Sequence, residues 1–90
     1  MTSIEEIFKA VQRERRHQDC KYGVVGKDRV PTIGDWILIL EEEISEARLA
    51  QVKGNSREAL QELLQVATVA VAALQQHGLV ERDNWCRGEK

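Results

Sequence analysis

The sequence is poor in the features that mark disulfide-rich and membrane-spanning proteins. Its two cysteines, Cys20 and Cys86, are too few for a disulfide scaffold. Without an apolar N-terminal signal segment, they indicate reduced thiols in a cytoplasmic protein. The most apolar stretch, around residues 63–74, is interrupted by polar residues and is too short to span a bilayer.

Neither sign of charge is in large excess. Thirteen Lys and Arg residues stand against fifteen Asp and Glu residues, which gives a formal net charge of −2. Without a basic excess, the chain lacks the electrostatic signature of proteins that bind nucleic acid polymers or anionic membranes. Its 90 residues allow one small domain over residues 1–90, a size often stabilised by oligomerisation, disulfides or metal.

Hydrophobic spacing predicts an all-α fold, with no strand-like alternation and no internal repeat. The three expected helices cover about residues 3–20, 33–53 and 56–77. Candidate N-caps precede them, namely Thr2 or Ser3, Thr32 and Asn55. Gly54 and Gly78 end the second and third helices, and the tail, residues 79–90, is expected to pack loosely or extend.

The apolar residues need more packing surface than one chain supplies. The first helix has an apolar stripe formed by Ile4, Ile7, Phe8 and Val11, beyond which it is almost all polar or charged to residue 21. The stripe of the second helix is formed by Trp36, Ile37, Leu40, Ile44 and Ala47. The third helix is apolar nearly all round between Leu60 and Leu74, and two neighbouring helices cannot cover it. We therefore expect an antiparallel helical bundle completed by homodimerisation.

Two polar pairs carry the functional prediction. Glu43 and Glu46 are spaced i, i+3 on the second helix, and Glu62 and Gln65 have the same spacing on the third, so each pair shares a helix face. Carboxylates that converge there would be costly without a cation, and hard oxygen ligands suit Mg²⁺ or Mn²⁺. Gln65 stands where a fourth carboxylate would complete the symmetry. Its amide oxygen can coordinate a metal without adding charge.

Lys21 and Trp36 are candidate substrate-binding residues. Lys21 borders the loop before the second helix and could meet phosphates, although a solvated loop charge explains it equally well. Trp36 could stack on a base, although a tryptophan on an apolar helix stripe more often belongs to the core. The spacing of the histidines and cysteines matches no standard zinc site.

The acidic pattern resembles that of the MazG-like, all-α nucleotide pyrophosphohydrolases. EExxE, which ends at Glu46, is followed after fifteen residues by Glu62 and Gln65, similar to the ExxE, gap, ExxD pattern of that family. ERRHQDCKYG (14–23) is similar to the end of the first helix of its short phage and mobile-element members, and ELLQVATVAVAAL (62–74) is similar to their last helix. Gln replaces Asp in that last helix too. The resemblance covers roughly residues 12–76.

The resemblance implies a homodimer or homotetramer that hydrolyses a (d)NTP to (d)NMP and pyrophosphate with Mg²⁺, or with Mn²⁺ in its place. Glu43, Glu46 and Glu62 would be metal ligands and catalytic residues, with Gln65 at the fourth metal position. Metal ions neutralise phosphate charge and lower the pKa of a bound water. The alternative is a catalytically weak or inactive helical dimer that binds a nucleotide or protein partner. Gln65 favours the alternative, and the three glutamates favour the enzyme.

Overall fold

The computed structural model describes residues 1–22 and 30–82, apart from the side chains of residues 20–22. All regular structure in this part of the chain is helical, in three helices: α1 (Ile4–Tyr22), α2 (Ile33–Val52) and α3 (Ser56–His77). The all-α prediction is confirmed, and the bounds lie within two residues of those expected. No helix among the described residues is both long and apolar enough to cross a membrane.

Each helix begins at a polar cap. The Glu6 N–H donates to Ser3 Oγ at 3.1 Å, and the Glu6 carboxylate accepts the Ser3 N–H at 2.9 Å. Thr32 and Asp35 form the same reciprocal pair before α2, and Asn55 caps α3. These side chains bond N–H groups that have no partner inside the helix. The local signals in the sequence therefore fix all three helix starts.

A turn of three residues joins α2 to α3 and makes them a helical hairpin. Gly54 in this turn has a φ of 82°, a left-handed conformation that favours glycine. The N–H groups of Gly54 and Asn55 donate to the carbonyls of Gln51 and Ala50 at 3.0 and 2.9 Å. This tight connection holds the carboxyl-terminal part of α2 beside the start of α3, where the predicted acidic pairs lie.

The core of the α2–α3 hairpin is centred on Trp36, which is 7% exposed. Its ring packs with Val69 and Ala72 of α3, and its Nε1 donates to Gln76 Oε1 at 3.1 Å. Partly buried residues around this cluster are Ile39, Leu40 and Ala73. Because the buried indole N–H has an acceptor, the ring is accommodated without an unpaired donor.

α1 packs on α3 and, within the described residues, makes no comparable contact with α2. Of its predicted apolar stripe, only Val11 is buried. The other three residues are exposed, namely Ile4, Ile7 and Phe8. A single chain therefore leaves most of this stripe without a packing partner.

The predicted apolar stripe of α2 divides between two environments. Trp36 and Ala47 are buried, but Ile37 and Ile44 are 51% and 49% exposed. The physical reason is that α3 is the only helix against α2 in the described chain, and one neighbour covers a narrower face than the stripe occupies. Large apolar residues of α3 are exposed too, namely Leu60, Leu63 and Leu74.

Candidate metal centre

Three of the four predicted metal ligands converge on the α2–α3 hairpin. Glu43 and Glu46 of α2 and Glu62 of α3 each offer a carboxylate oxygen, and these three oxygens lie within 4.8 Å of one another. Oxygens that bind one divalent cation at about 2.0–2.6 Å are separated by at most about 5 Å. The spacing and the all-oxygen donor set therefore fit a hard divalent cation such as Mg²⁺ or Mn²⁺.

The acids differ in exposure because they lie at the edge of the helix contact. Glu43 and Glu62 are half-buried, whereas Glu46 is exposed. Partial burial is the largest cause that raises the pKa of Glu43, and the charge of Glu46 adds to it. Burial is also the largest cause that raises the pKa of Glu62, and the negative charges of Glu46 and then Glu58 add to it. A cation bound among these carboxylates would oppose both effects, since it favours their ionised forms.

A shallow cavity of about 130 Å³ adjoins the acids at the turn end of the hairpin. Its lining includes Glu46 and Glu62, together with Glu58 and Lys53. Lys53 is a residue that the sequence reading missed. Its only signal is its position seven residues after Glu46; Lys53 is the C-cap of α2 and keeps an αR backbone, which leaves it on the same side of the helix as Glu46. One cationic side chain thus borders the acidic cluster.

Gln65, the fourth predicted metal position, pairs with α1. Its Oε1 accepts a hydrogen bond from Gln18 Nε2 at 3.2 Å, and its Nε2 donates to the Glu14 carboxylate. The side chain is half-buried between α1 and α3. The structure thus accounts for both ends of the carboxamide without a metal, and metal coordination by Gln65 stays a prediction.

The two predicted substrate-binding residues have different outcomes. Trp36 lies in the hairpin core, where its packing and its bond to Gln76 account for its presence. Stacking of this ring on a base therefore stays a prediction. The Lys21 side chain lies outside the described residues, as do all of residues 23–29 and 83–90.

Comparison with known proteins identifies no relative of this chain. No family model matches the chain, and no curated protein or solved structure gives a significant match. The resemblance to the MazG-like pyrophosphohydrolases therefore stays a prediction drawn from the residues.

Proposed function

We propose that this protein is a MazG-like, metal-dependent nucleoside triphosphate pyrophosphohydrolase that converts a (d)NTP to (d)NMP and pyrophosphate. The observation that carries the proposal is the convergence of Glu43, Glu46 and Glu62 within 4.8 Å, from two separate helices. Three ionised carboxylates at this spacing repel one another, and either a proton or a bound cation relieves that repulsion. Gln65 is left out of the ligand set because its carboxamide is bonded to α1.

The residues of the hairpin support this chemistry. When bound, a divalent cation supplies charge neutralisation for a triphosphate and acidifies a water molecule. Glu43, Glu46 and Glu62 would hold the cation, and one of them would accept the proton of the attacking water as a general base. Lys53, which lines the adjoining cavity with Glu46 and Glu62, would supply a positive charge to a phosphate oxygen. The proposed substrate is a nucleotide, since the near-neutral charge of the chain does not indicate a nucleic acid polymer. The proposed location is the cytoplasm.

The proposal includes a homodimer, with a homotetramer as the larger alternative. Ile37 and Ile44 are separated by seven residues and so share one face of α2, which is exposed. On α3, Leu63 and Leu74 are likewise exposed, away from the residues that contact α1 and α2. A second copy of the hairpin supplies a matching apolar face and would complete the bundle.

Pyrophosphate release tests the proposal directly. A panel of NTPs and dNTPs is incubated with wild type and with Mg²⁺ or Mn²⁺, and pyrophosphate is measured. We expect Glu62→Ala to reduce the rate by at least about 100-fold, since a ligand of the metal is lost. Glu41→Ala, at an exposed acid of α2 outside the cluster, is the control and should retain the wild-type rate. If wild type releases no pyrophosphate from any nucleotide, the enzyme proposal is wrong.

The second candidate is a catalytically weak or inactive helical dimer that binds a nucleotide or protein partner. It is favoured by the bonding of Gln65 to α1, which leaves three carboxylates to anchor the metal ions. This candidate predicts Mn²⁺-dependent nucleotide binding in calorimetry without pyrophosphate release. The same protein preparations and the same Glu62→Ala variant distinguish the two candidates.

A further inference from the structure

Gln65 lies on α3 one turn after Glu62, yet its side chain bonds to α1. Its Nε2 donates to the Glu14 carboxylate, and its Oε1 accepts from Gln18 Nε2 at 3.2 Å. All three side chains are half-buried. The Gln65 carboxamide thus bonds two residues of α1, one through its N–H group and the other through its carbonyl oxygen.

A carboxamide satisfies both partners at this position, whereas an ionised carboxylate does not. An ionised carboxylate such as that of Glu14 accepts hydrogen bonds and donates none, so its partner must be a donor. Gln65 supplies that donor and simultaneously accepts from Gln18. An acid at position 65 would keep the acceptor, lose the donor and face the charge of Glu14. Glu14 therefore explains why a glutamine stands where the acidic pattern leads one to expect an acid.

The remaining attachment of α1 is limited. Val11 is its one buried apolar residue among the described side chains. Arg15 Nε donates to Gln75 Oε1 at 2.8 Å, and the Arg15 guanidinium also pairs with Asp19 within α1. Because a single buried valine fixes orientation poorly, the polar contacts set the register of α1 on α3.

We propose that Gln65 is a positioning residue that docks α1 on α3 beside the acidic cluster, and that it is not a metal ligand. The proposal rests on the proposed function only for its statement about the metal. Gln65 is one helical turn from Glu62, so this contact between α1 and α3 lies one turn along α3 from the acidic cluster. Substitution of Gln65 by an acid, which the sequence pattern alone would expect to strengthen metal binding, instead places a second negative charge against Glu14.

Amide hydrogen exchange in EDTA tests the docking role without any metal. In Gln65→Glu, the α1 amides should exchange about fivefold to tenfold faster than in wild type, because a half-buried hydrogen bond is replaced by like-charge repulsion. The swap Gln65→Glu/Glu14→Gln restores a donor opposite an acceptor and should bring exchange back to within about twofold. Gln61→Glu, at an exposed position of α3, is the matched control and should leave exchange unchanged.

Mn²⁺ titration tests the statement about the metal. Gln65→Ala should change the Mn²⁺ dissociation constant by less than about twofold, whereas Glu62→Ala should raise it at least about tenfold. A tenfold loss of Mn²⁺ affinity in Gln65→Ala, or failure of the swap to restore protection of α1, would overturn the proposal. If wild type binds no Mn²⁺, the proposed function fails, and the docking role is decided by the exchange measurement alone.

Discussion

The α2–α3 hairpin and α1 are held in place by different kinds of contact. α2 and α3 share an apolar core in which Trp36, Val69 and Ala72 are buried. α1 has one buried apolar residue, Val11, and otherwise meets α3 through polar side chains. Burial of a large aromatic side chain stabilises a fold more than a partly exposed hydrogen bond, which contributes about 1 kcal/mol. The hairpin, which carries the acidic cluster, is therefore the stable part, and α1 is the element expected to open first.

Truncation of a side chain in the hairpin core should cause the largest loss of stability among these predictions. Trp36→Ala is expected to lower the free energy of unfolding by about 3–5 kcal/mol, because it leaves a cavity and removes the partner of Gln76. Urea unfolding followed by circular dichroism measures the loss. Val11→Ala is the matched change on α1 and should cost only about 1–2 kcal/mol. Equal losses in the two variants would show that α1 is as strongly attached as α2.

Metal should stabilise the hairpin through its acids. A divalent cation at about 100 times its dissociation constant should add about 2.7 kcal/mol to the free energy of unfolding. Thermal unfolding with Mn²⁺ and with EDTA measures this difference. At the same Mn²⁺ concentration it should fall to about 1.4 kcal/mol or less in Glu62→Ala, whose dissociation constant is at least about tenfold higher, and persist in Glu41→Ala, whose acid is exposed and outside the cluster. The same Mn²⁺ stabilisation in both variants would place the metal elsewhere.

The exposed apolar face of the hairpin should mediate assembly. Leu63→Lys is expected to weaken the dimer by about 2 kcal/mol for each protomer, because the free energy of burying one leucine side chain at the interface is lost. Sedimentation velocity at micromolar concentrations measures the shift from dimer to monomer. Gln61→Lys introduces the same charge at an exposed polar position of α3 and is the control. A wild-type protein that sediments as a folded monomer contradicts the proposed dimer.

Local features of this fold could be predicted from the sequence because the interacting residues are close along the chain. Ser3, Thr32 and Asn55 cap helices through bonds to residues three positions later. The acidic cluster could also be predicted, because Glu43 and Glu46 share a helix face and a three-residue turn returns the chain past them to Glu62. Bonds between residues three positions apart were sufficient to predict the helix starts, and helix periodicity with one short connection was sufficient to predict the cluster.

Contacts that depend on the placement of a third helix could not be predicted. Periodicity gives α2 an apolar stripe, but it does not state whether α3 or another chain covers Ile37 and Ile44. The pairing of Gln65 with Glu14 joins residues 51 positions apart, and it depends on which side of α3 receives α1. Lys53 lines the cavity beside the acids because of the turn that follows α2, and no sequence motif predicted this position.

The smallest predicted effect is a pH dependence of the metal-free protein. Burial and the neighbouring charge of Glu46 raise the pKa of Glu43, and Glu62 is affected in the same way. A carboxyl group whose pKa is higher in the folded state binds more protons when folded than when unfolded, so its contribution to stability falls as the pH rises through that range. In EDTA, these two acids should therefore favour the folded state more near about pH 5 than near about pH 7.

Removal of one of these charges isolates the effect from the other titrating groups. In EDTA near about pH 7, Glu43→Gln should raise the free energy of unfolding by a few tenths of a kcal/mol, because a repulsive neighbour of Glu46 is lost. Near about pH 5 the gain should be smaller, since more of the wild-type Glu43 is already protonated there. Urea unfolding at both pH values gives the comparison, with Glu41→Gln as the exposed control. A gain that is larger at the lower pH would contradict the raised pKa of Glu43. Mn²⁺ should remove or reverse this gain, because Glu43 is one of the proposed metal ligands and only the wild type then has all three.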